Sequence, residues 1–551
     1  MEKRLLVAAG LSLAVLLLWE WVAPKPPRSP TPAAQRTPAA SSTPASGSAG
    51  AAAGSAVAAS TASAAPGTQA PVAPETAEAE SSTTLSNAVF QATFSNRGAV
   101  LTSLVLKAHL DDQRKPLELV RSLPGLPRPL AVDFPKDAEA TKRAAAALFV
   151  VERESDSAVR FRWADGAIAI SREIRIGAGY LFEVKTTVTG PPFAVLVGPG
   201  LRNPTDRERA SSYVMPASAV AATTEGLKVV APGKAESQVW TVPARGFAGI
   251  EDNYFLEVLV PNTPATARLY SFSVPRPEGK PSVELAVGLE GQGTLDAAAF
   301  FGPKDMSVLE SYGLGLERTV NFGWYGILAK PLLWMLKKTY GYVGNWGLAI
   351  LIVTFIIRLA LFPLTAKSYT SMKKIQKLAP KMNAIRDRYK KAKTDAAQRQ
   401  KMNAELMALY QTEGYNPMSG CLPVLLQLPV LVAFYNVLSR AVELRHAPFV
   451  FWIKDLSAVD RSYLLVILMI ISMYLQQAMT PSTLDPTQKK VFMFLPIVWG
   501  FFLKDMPSGL VLYWLFSNLL TIVQQLVMNR IVKDDAPPPG KAAKALKQAR
   551  A

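Results

Sequence analysis

The residues best equipped for chemistry in this 551-residue chain lie inside its most apolar stretches. The segment WGLAILIVTFIIRLALFPL, residues 346–364, is long enough to cross a bilayer and carries Arg358. A guanidinium at the centre of a membrane helix costs at least ~2.5–3.5 kcal/mol. Thr354 lies four residues earlier, on the same helix face. Gln427 sits between Pro423 and Pro429 in a second apolar stretch. Along the last one, Trp514, Asn518, Thr521 and Gln525 step by four, three and four and so share a face. Taken singly, each amide or hydroxyl is explained as interhelical glue, worth roughly 0.6 kcal/mol. Arg358 has two readings. It lies six residues before Leu364, about 9 Å along a helix, which lets it snorkel to the interface. Against that, the five C-terminal apolar segments offer it no obvious acidic partner. An unpaired arginine there predicts a wet cavity, open on the cytoplasmic side and attractive to a negative guest.

Other chemistries lack raw material. One cysteine, Cys421, excludes an intramolecular disulfide framework and a cysteine-cluster metal site. Two histidines, His109 and His446, leave no zinc ligand set and no conventional His-dependent triad. No G-x-x-x-x-G-K-[ST] stretch offers a home for ATP hydrolysis. Neither an enzymatic activity nor any cofactor is expected.

The positioning elements follow from texture. Apolar segments at 346–364, 421–438, 463–479, 491–503 and 510–528, with an N-terminal one over 1–22, make six spans. Lys3 and Arg4 precede the first, and Trp19 and Trp21 stand where a signal peptidase would need small residues. The reading favoured is an uncleaved anchor rather than a cleaved signal peptide. Residues 23–81, rich in Pro, Ala, Ser and Thr, read as a disordered tether. From 82 to 321 the pattern is all-β. VRFRWADGAIAISREIRI alternates about an Asp165-Gly166 turn, and Phe182, Val184 and Val188 continue the alternation. An antiparallel sandwich outside the membrane is expected. Residues 322–345 mix aromatics with Lys330, Lys337 and Lys338 and predict a helix lying along the outer interface. The thirteen-residue segment 491–503 predicts about 20 Å of helix and a locally thinned bilayer.

The net charge of +18 has a location. Residues 366–417 are dense in Lys and Arg, and the tail at 531–551 adds more. The positive-inside rule puts both in the cytoplasm, in agreement with an even span count and an outer β domain. Ile375, Leu378, Met382, Ile385 and Tyr389 have heptad spacing, so 366–417 reads as an antiparallel helical hairpin interrupted at Pro380. Two readings stand for its charge. It is a solvated loop retained inside, or a docking device for a ribosome, anionic lipid or an incoming chain, through Lys373, Lys374, Lys377, Lys381, Arg386 and Arg388. Direct DNA binding is not expected.

Three long stretches carry a family resemblance. NPMSGCLPVLLQLPVLVAFYNVL, TFIIRLALFPLTAKSYTSMKKIQKLAPKM and PSGLVLYWLFSNLLTIVQQ resemble the YidC membrane protein insertases. FAGIEDNYFLEVLVP and FFGPKD resemble the outer domain of that family's Gram-negative form. The resemblance implies a polytopic α-helical membrane protein, with six transmembrane helices and a five-helix core over 346–530, plus a periplasmic β-sandwich. It implies a hydrophilic groove open to cytoplasm and lipid, with Arg358 drawing in polar parts of nascent membrane-protein clients. Thr354, Gln427, Tyr513, Asn518, Thr521 and Gln525 are then expected to line it. Partnership with the Sec translocon and ribosomes, chaperone-like help in folding, and residence in the inner membrane with both termini cytoplasmic are also implied. Lys504 and Asp505, in FFLKDMPSG, depart from the apolar lead usual in the family and leave the outer end of 491–503 open. The rivals are a channel or secondary transporter, for which no inverted repeat is evident, and an intramembrane protease, for which the only nearby histidine is His446.

Overall fold

A computed structural model describes residues 73–204, 208, 214–234, 237–275, 281–389, 395–414, 422–480 and 486–531. The expected anchor (1–22), most of the tether, the turn of the basic hairpin at 390–394, residues 415–421 and nearly all of the tail lie outside the described residues.

The first half folds as three sheets whose described strand pairs are all antiparallel: nine strands, five strands and four strands. Ala158–Ala164 pairs with Ala169–Ile176 across the Asp165-Gly166 turn. Gly166 takes φ 88°, a conformation glycine adopts without penalty. Asp165 Oδ1 accepts the Ala167 and Ile168 amides at 3.0 and 2.8 Å, which closes the turn. Val159, Phe161 and Trp163 are buried on one face, as are Phe182, Val184 and Val188 on the next strand, Leu181–Thr189. That period of two is what a half-buried strand produces.

The tether boundary moves. Residues 73–81 already belong to the β domain. Glu75 bridges Ala164 through reciprocal backbone bonds of 2.9 Å, and the Ala77 amide reaches Leu148 O at 2.9 Å. Composition alone misses this, because backbone pairing needs no particular side chain.

Among the described residues, two short helices, α1 (Ala138–Ala146) and α2 (Met306–Ser311), lie in the β domain. Eight follow or succeed it: α3 (Gly326–Val343), α4 (Trp346–Lys377), α5 (Ala379–Arg388), α6 (Ala396–Thr412), α7 (Leu422–Arg440), α8 (Leu464–Met479), α9 (Pro486–Leu503) and α10 (Ser508–Ile531). Gly344, at φ 63°, ends α3, and Asn345 caps α4 by accepting the Leu348 amide at 3.0 Å. The chain therefore turns sharply between them. α10 packs on α4, α7 and α8, and α9 packs on α8. By length and composition, α4 and α10 are long and apolar enough to cross a membrane. The apolar parts of α7, α8 and α9 are shorter.

One helix boundary differs from expectation. The helix holding 491–503 begins at Pro486 and runs 18 residues, about 27 Å. Proline suits a first turn, where its missing N–H is not needed, and the polar residues after it extend the helix beyond its apolar part. The apolar part of this helix stays short, Lys490–Leu503, so the expectation of a locally thinned bilayer keeps its premise. The first part of the basic hairpin is continuous with α4, which runs unbroken to Lys377. A new helix, α5, then starts with Pro380 in its first turn. Ile375, Leu378, Met382 and Ile385 are buried, as their spacing predicts. Arg388–Glu405 (2.7 Å) and Lys381–Glu413 (2.6 Å) pair α5 with α6 and its C-terminal turn, in antiparallel order.

A polar joint ties the β domain to the helices. Lys337 on α3 bridges Asp305 (2.8 Å), the N-cap of α2, and Glu443 (2.6 Å), just after α7. Asn253 Nδ2 donates to Ser439 O at 3.2 Å, and Arg445 Nη1 donates to Leu110 O at 2.6 Å.

Candidate functional site

Arg358 is half-buried on α4, which crosses α10 at this level. Its Nε donates to the Ser517 hydroxyl at 3.0 Å, and Nη2 donates to the same oxygen. Gln427 Nε2, from α7, also reaches that oxygen at 3.1 Å. A guanidinium carries more donors than one hydroxyl can accept, so some remain for water or a guest. Among the described residues no carboxylate pairs with Arg358. The side chain crosses to the neighbouring helix, so simple snorkelling along α4 is not what holds it.

Beside Arg358 lies a small recess between α4, α7 and α10. Thr354, Arg358, Thr365, Gln427, Tyr513 and Ser517 supply its polar lining. Its apolar lining comes from Ile357, Leu361, Leu426 and Val430. The recess has room for about one or two waters. Thr354 is buried and donates to Ile350 O at 2.6 Å, so its hydroxyl proton is already used. Tyr513 is fixed by stacking on Phe434, centroids 3.9 Å apart at 18°. The arrangement combines one cation, several hydroxyls and an amide along an otherwise greasy wall. It can hold a water or a small polar or anionic group. It contains no nucleophile and base pair for bond-breaking.

Four expected residues, Thr354, Arg358, Gln427 and Tyr513, therefore come together. Asn518, Thr521 and Gln525 do not join them. Asn518 Nδ2 donates to Ser472 Oγ (3.1 Å), and Gln525 Nε2 donates to Thr480 Oγ1 (2.9 Å), both toward α8. Thr521 donates to its own helix at Ser517 O, 2.9 Å. The expected face of α10 is one residue out of phase. Tyr513, Ser517 and Gln524 face α4, Gln524 Nε2 reaching Thr365 Oγ1 at 2.6 Å. One residue is ~100° of helix, enough to turn an amide from the recess to a neighbouring helix. Ser517 and Thr365 were missed. The spacing of four from Tyr513 was the available signal for Ser517.

On the basic hairpin, Lys381 and Arg388 are engaged in the ion pairs between its arms, and Arg386 Nη1 reaches Asn383 Oδ1 at 3.4 Å. Lys374 and Lys377 are exposed in the last turn of α4, while Lys373 is half-buried.

Among the described residues, apolar helices joined to a large antiparallel β domain, with a cation that no carboxylate pairs beside a recess, fit the class of integral membrane proteins with an extramembrane domain. Family models agree with that division. Residues 82–335 match the YidC periplasmic domain, and 338–535 match the 60Kd inner membrane protein family. The membrane protein insertase YidC of Syntrophus aciditrophicus is 34% identical over 563 residues, covering 96% of this chain and 100% of that one. The Geobacter sulfurreducens protein of the same name is 45% identical over 302 residues, 54% of this chain and 55% of that one. A crystal structure described as an active YidC insertase with its first transmembrane domain resolved covers 83% of this chain and 95% of its own, at 18% identity and a TM-score of 0.37. The chain belongs to the YidC membrane protein insertase family, an inner-membrane family with a periplasmic domain.

Proposed function

We propose that this protein inserts newly made proteins into the bacterial inner membrane and assists their folding, alone or with the Sec translocon. The observation that carries the reading is Arg358, held by a hydroxyl instead of a carboxylate beside a polar recess. In this reading α4 and α7–α10 form a five-helix core, and the 1–22 segment is a sixth span. Both termini and the basic hairpin face the cytoplasm, and the β domain faces the periplasm. The recess is the inner part of a groove open to cytoplasm and lipid. Arg358 attracts the polar or acidic flank of a client. The client's apolar helix then gains transfer free energy by moving sideways into lipid, which drives the step without nucleotide hydrolysis. Lys374 and Lys377, with the rest of the hairpin, offer positive charge to a ribosome, anionic lipid or nascent chain.

The test uses proteoliposomes containing only this chain. A single-span client with an acidic outer segment should insert with the unaltered protein and with Arg358→Lys, and should fail with Arg358→Ala. Normal insertion of every client by Arg358→Ala overturns the reading. Solute flux or client cleavage in the same vesicles would instead identify a channel or a protease.

A further inference from the structure

The loop joining α7 to α8 carries an unexplained feature. Phe449 N donates to Ile453 O at 2.9 Å and Ile453 N to Val450 O at 3.1 Å, forming a tight turn. At its tip Phe451 is 89% exposed and adopts φ 52°, an uncommon conformation for an aromatic residue. Val450 and Trp452 are exposed beside it. A soluble surface has no use for three consecutive exposed apolar side chains held by a stiff turn.

The base of the turn is fixed to the start of α4. Asn345 Nδ2 donates to Phe449 O at 3.3 Å, and a Cβ at Gly347 would come within 2.0 Å of the Phe449 ring. Trp346 opens α4 at this level, and ~20 residues of helix from there span a ~30 Å hydrocarbon layer. The tip thus sits where the outer boundary of the bilayer falls. Its charges are sorted as well. Asp455 faces inward to His446 (3.2 Å) and Ser457, and Asp460 is taken up by the Ser462 and Leu465 amides at 3.0 and 2.9 Å. Lys454 and Arg461 are exposed and make no ion pair among the described residues. Apolar side chains pointing out, acids turned in and two free cations match a phosphate-rich lipid surface.

We propose that the 449–453 turn is a lipid anchor that wedges Phe451 into the outer leaflet, with Lys454 and Arg461 on the phosphates of anionic lipids. This rests on the orientation given above for the membrane helices. The anchor fixes the outer ends of α4 and α8 relative to the bilayer surface.

The test uses the full chain with Cys421→Ser, so that a single introduced cysteine carries an environment-sensitive fluorophore. Labels at Phe451→Cys and, separately, Val450→Cys are compared with Asp156→Cys on an exposed β turn and Leu359→Cys on the exposed face of α4. In vesicles of phosphatidylethanolamine and phosphatidylglycerol, both loop labels should shift to the blue and lose most of their quenching by aqueous iodide. The Asp156 label should stay quenched. Lys454→Glu with Arg461→Glu should restore quenching at 451 in vesicles containing phosphatidylglycerol. If the loop labels stay as quenchable as the Asp156 label while the Leu359 label is protected, the anchor is overturned and the membrane reading stands. Quenching at Leu359 as well overturns both. Loop protection that the charge reversals leave intact overturns the role given to Lys454 and Arg461.

Discussion

Arg202 in the β domain and Arg358 in the helical region are the same residue type handled in opposite ways. Arg202 is 1% exposed and clamped between Asp252 (2.6 Å) and Glu208 (2.7 Å). Arg358 is half-buried and has a shared hydroxyl and an amide for neighbours. A third arginine sharpens the contrast. Arg172 is fully buried without a carboxylate, donating to the carbonyls of Ala99 and Leu130 and to Thr186. Those two carbonyls belong to residues in left-handed conformations, so Arg172 pins two unusual turns. Lack of a carboxylate is therefore not enough to mark an arginine as functional. Arg172 is enclosed by the fold it holds together, whereas Arg358 borders a small recess between three helices.

The contrast predicts opposite responses to removal of the charge. Arg202→Met strips buried Asp252 of its ion-pair partner and leaves Glu208 only Arg445, at 3.9 Å, and one-sided loss of a buried pair costs ~3–5 kcal/mol. Arg358→Met strands no counter-charge and removes a group that lipid penalises, so the bundle should keep or gain stability. Thermal unfolding of each full-length variant in lipid nanodiscs checks this. Equal losses for the two would erase the distinction.

His109 extends the comparison to pH. Burial, and then the Arg445 guanidinium, push its pKa from the ordinary 6.5 down to about 4, against a smaller opposing pull from Asp305. Its ring meets Phe255 edge-on at 5.8 Å. The unfolded chain binds a proton near pH 6.5 that the folded domain refuses until about 4. Stability contributed by the neutral ring is thus complete above 6.5 and drains away as pH falls through that window, by at most ~3 kcal/mol. His109→Gln should flatten the slope of β-domain stability between pH 7 and 5. An unchanged slope would mean the ring is open to solvent.

Glu257 tests the rule from the acidic side. It is fully buried, and neither carboxylate oxygen has a hydrogen-bond partner among the described residues. Burial, then Glu118 and Asp252, raise its pKa well above the usual carboxylate range. Glu257→Met should therefore stabilise the β domain by ~1–3 kcal/mol in denaturant unfolding at neutral pH, since it removes an unsatisfied polar group at little change in shape.

What the sequence reveals follows the physics of each element. The β strands were legible because alternation sets burial directly, as in Val159, Phe161 and Trp163. The hairpin was legible because Ile375, Met382 and Ile385 keep heptad spacing. Arg358 stood out because its cost in lipid is large. The lining of α10 was not legible, because a helix apolar on every side gives no phase. Polar residues at 517 and 518, 521, 524 and 525 allow several faces, and packing against α4 and α8 chooses among them. The polar joint through Lys337 was equally hidden, since its partners lie 32 and 106 positions away.

The smallest expected effect bears hardest on whether Arg358 is wet. Ser517→Ala removes the oxygen on which Arg358 and Gln427 converge. In a dry site that loss strands a charged donor and costs ~1.5–3 kcal/mol, the range for hydrogen bonds to charged groups. In a hydrated recess a water takes the place of the hydroxyl, and the cost falls below ~1 kcal/mol. The second outcome is expected, because the recess already borders both donors. Insertion of a client with an acidic flank should then fall by less than about tenfold, which corresponds to 1.4 kcal/mol. A Ser517→Ala defect as deep as that of Arg358→Ala would mean that the hydroxyl, and not water, completes the arginine's surroundings, and Arg358 would then resemble Arg172 more than a binding group.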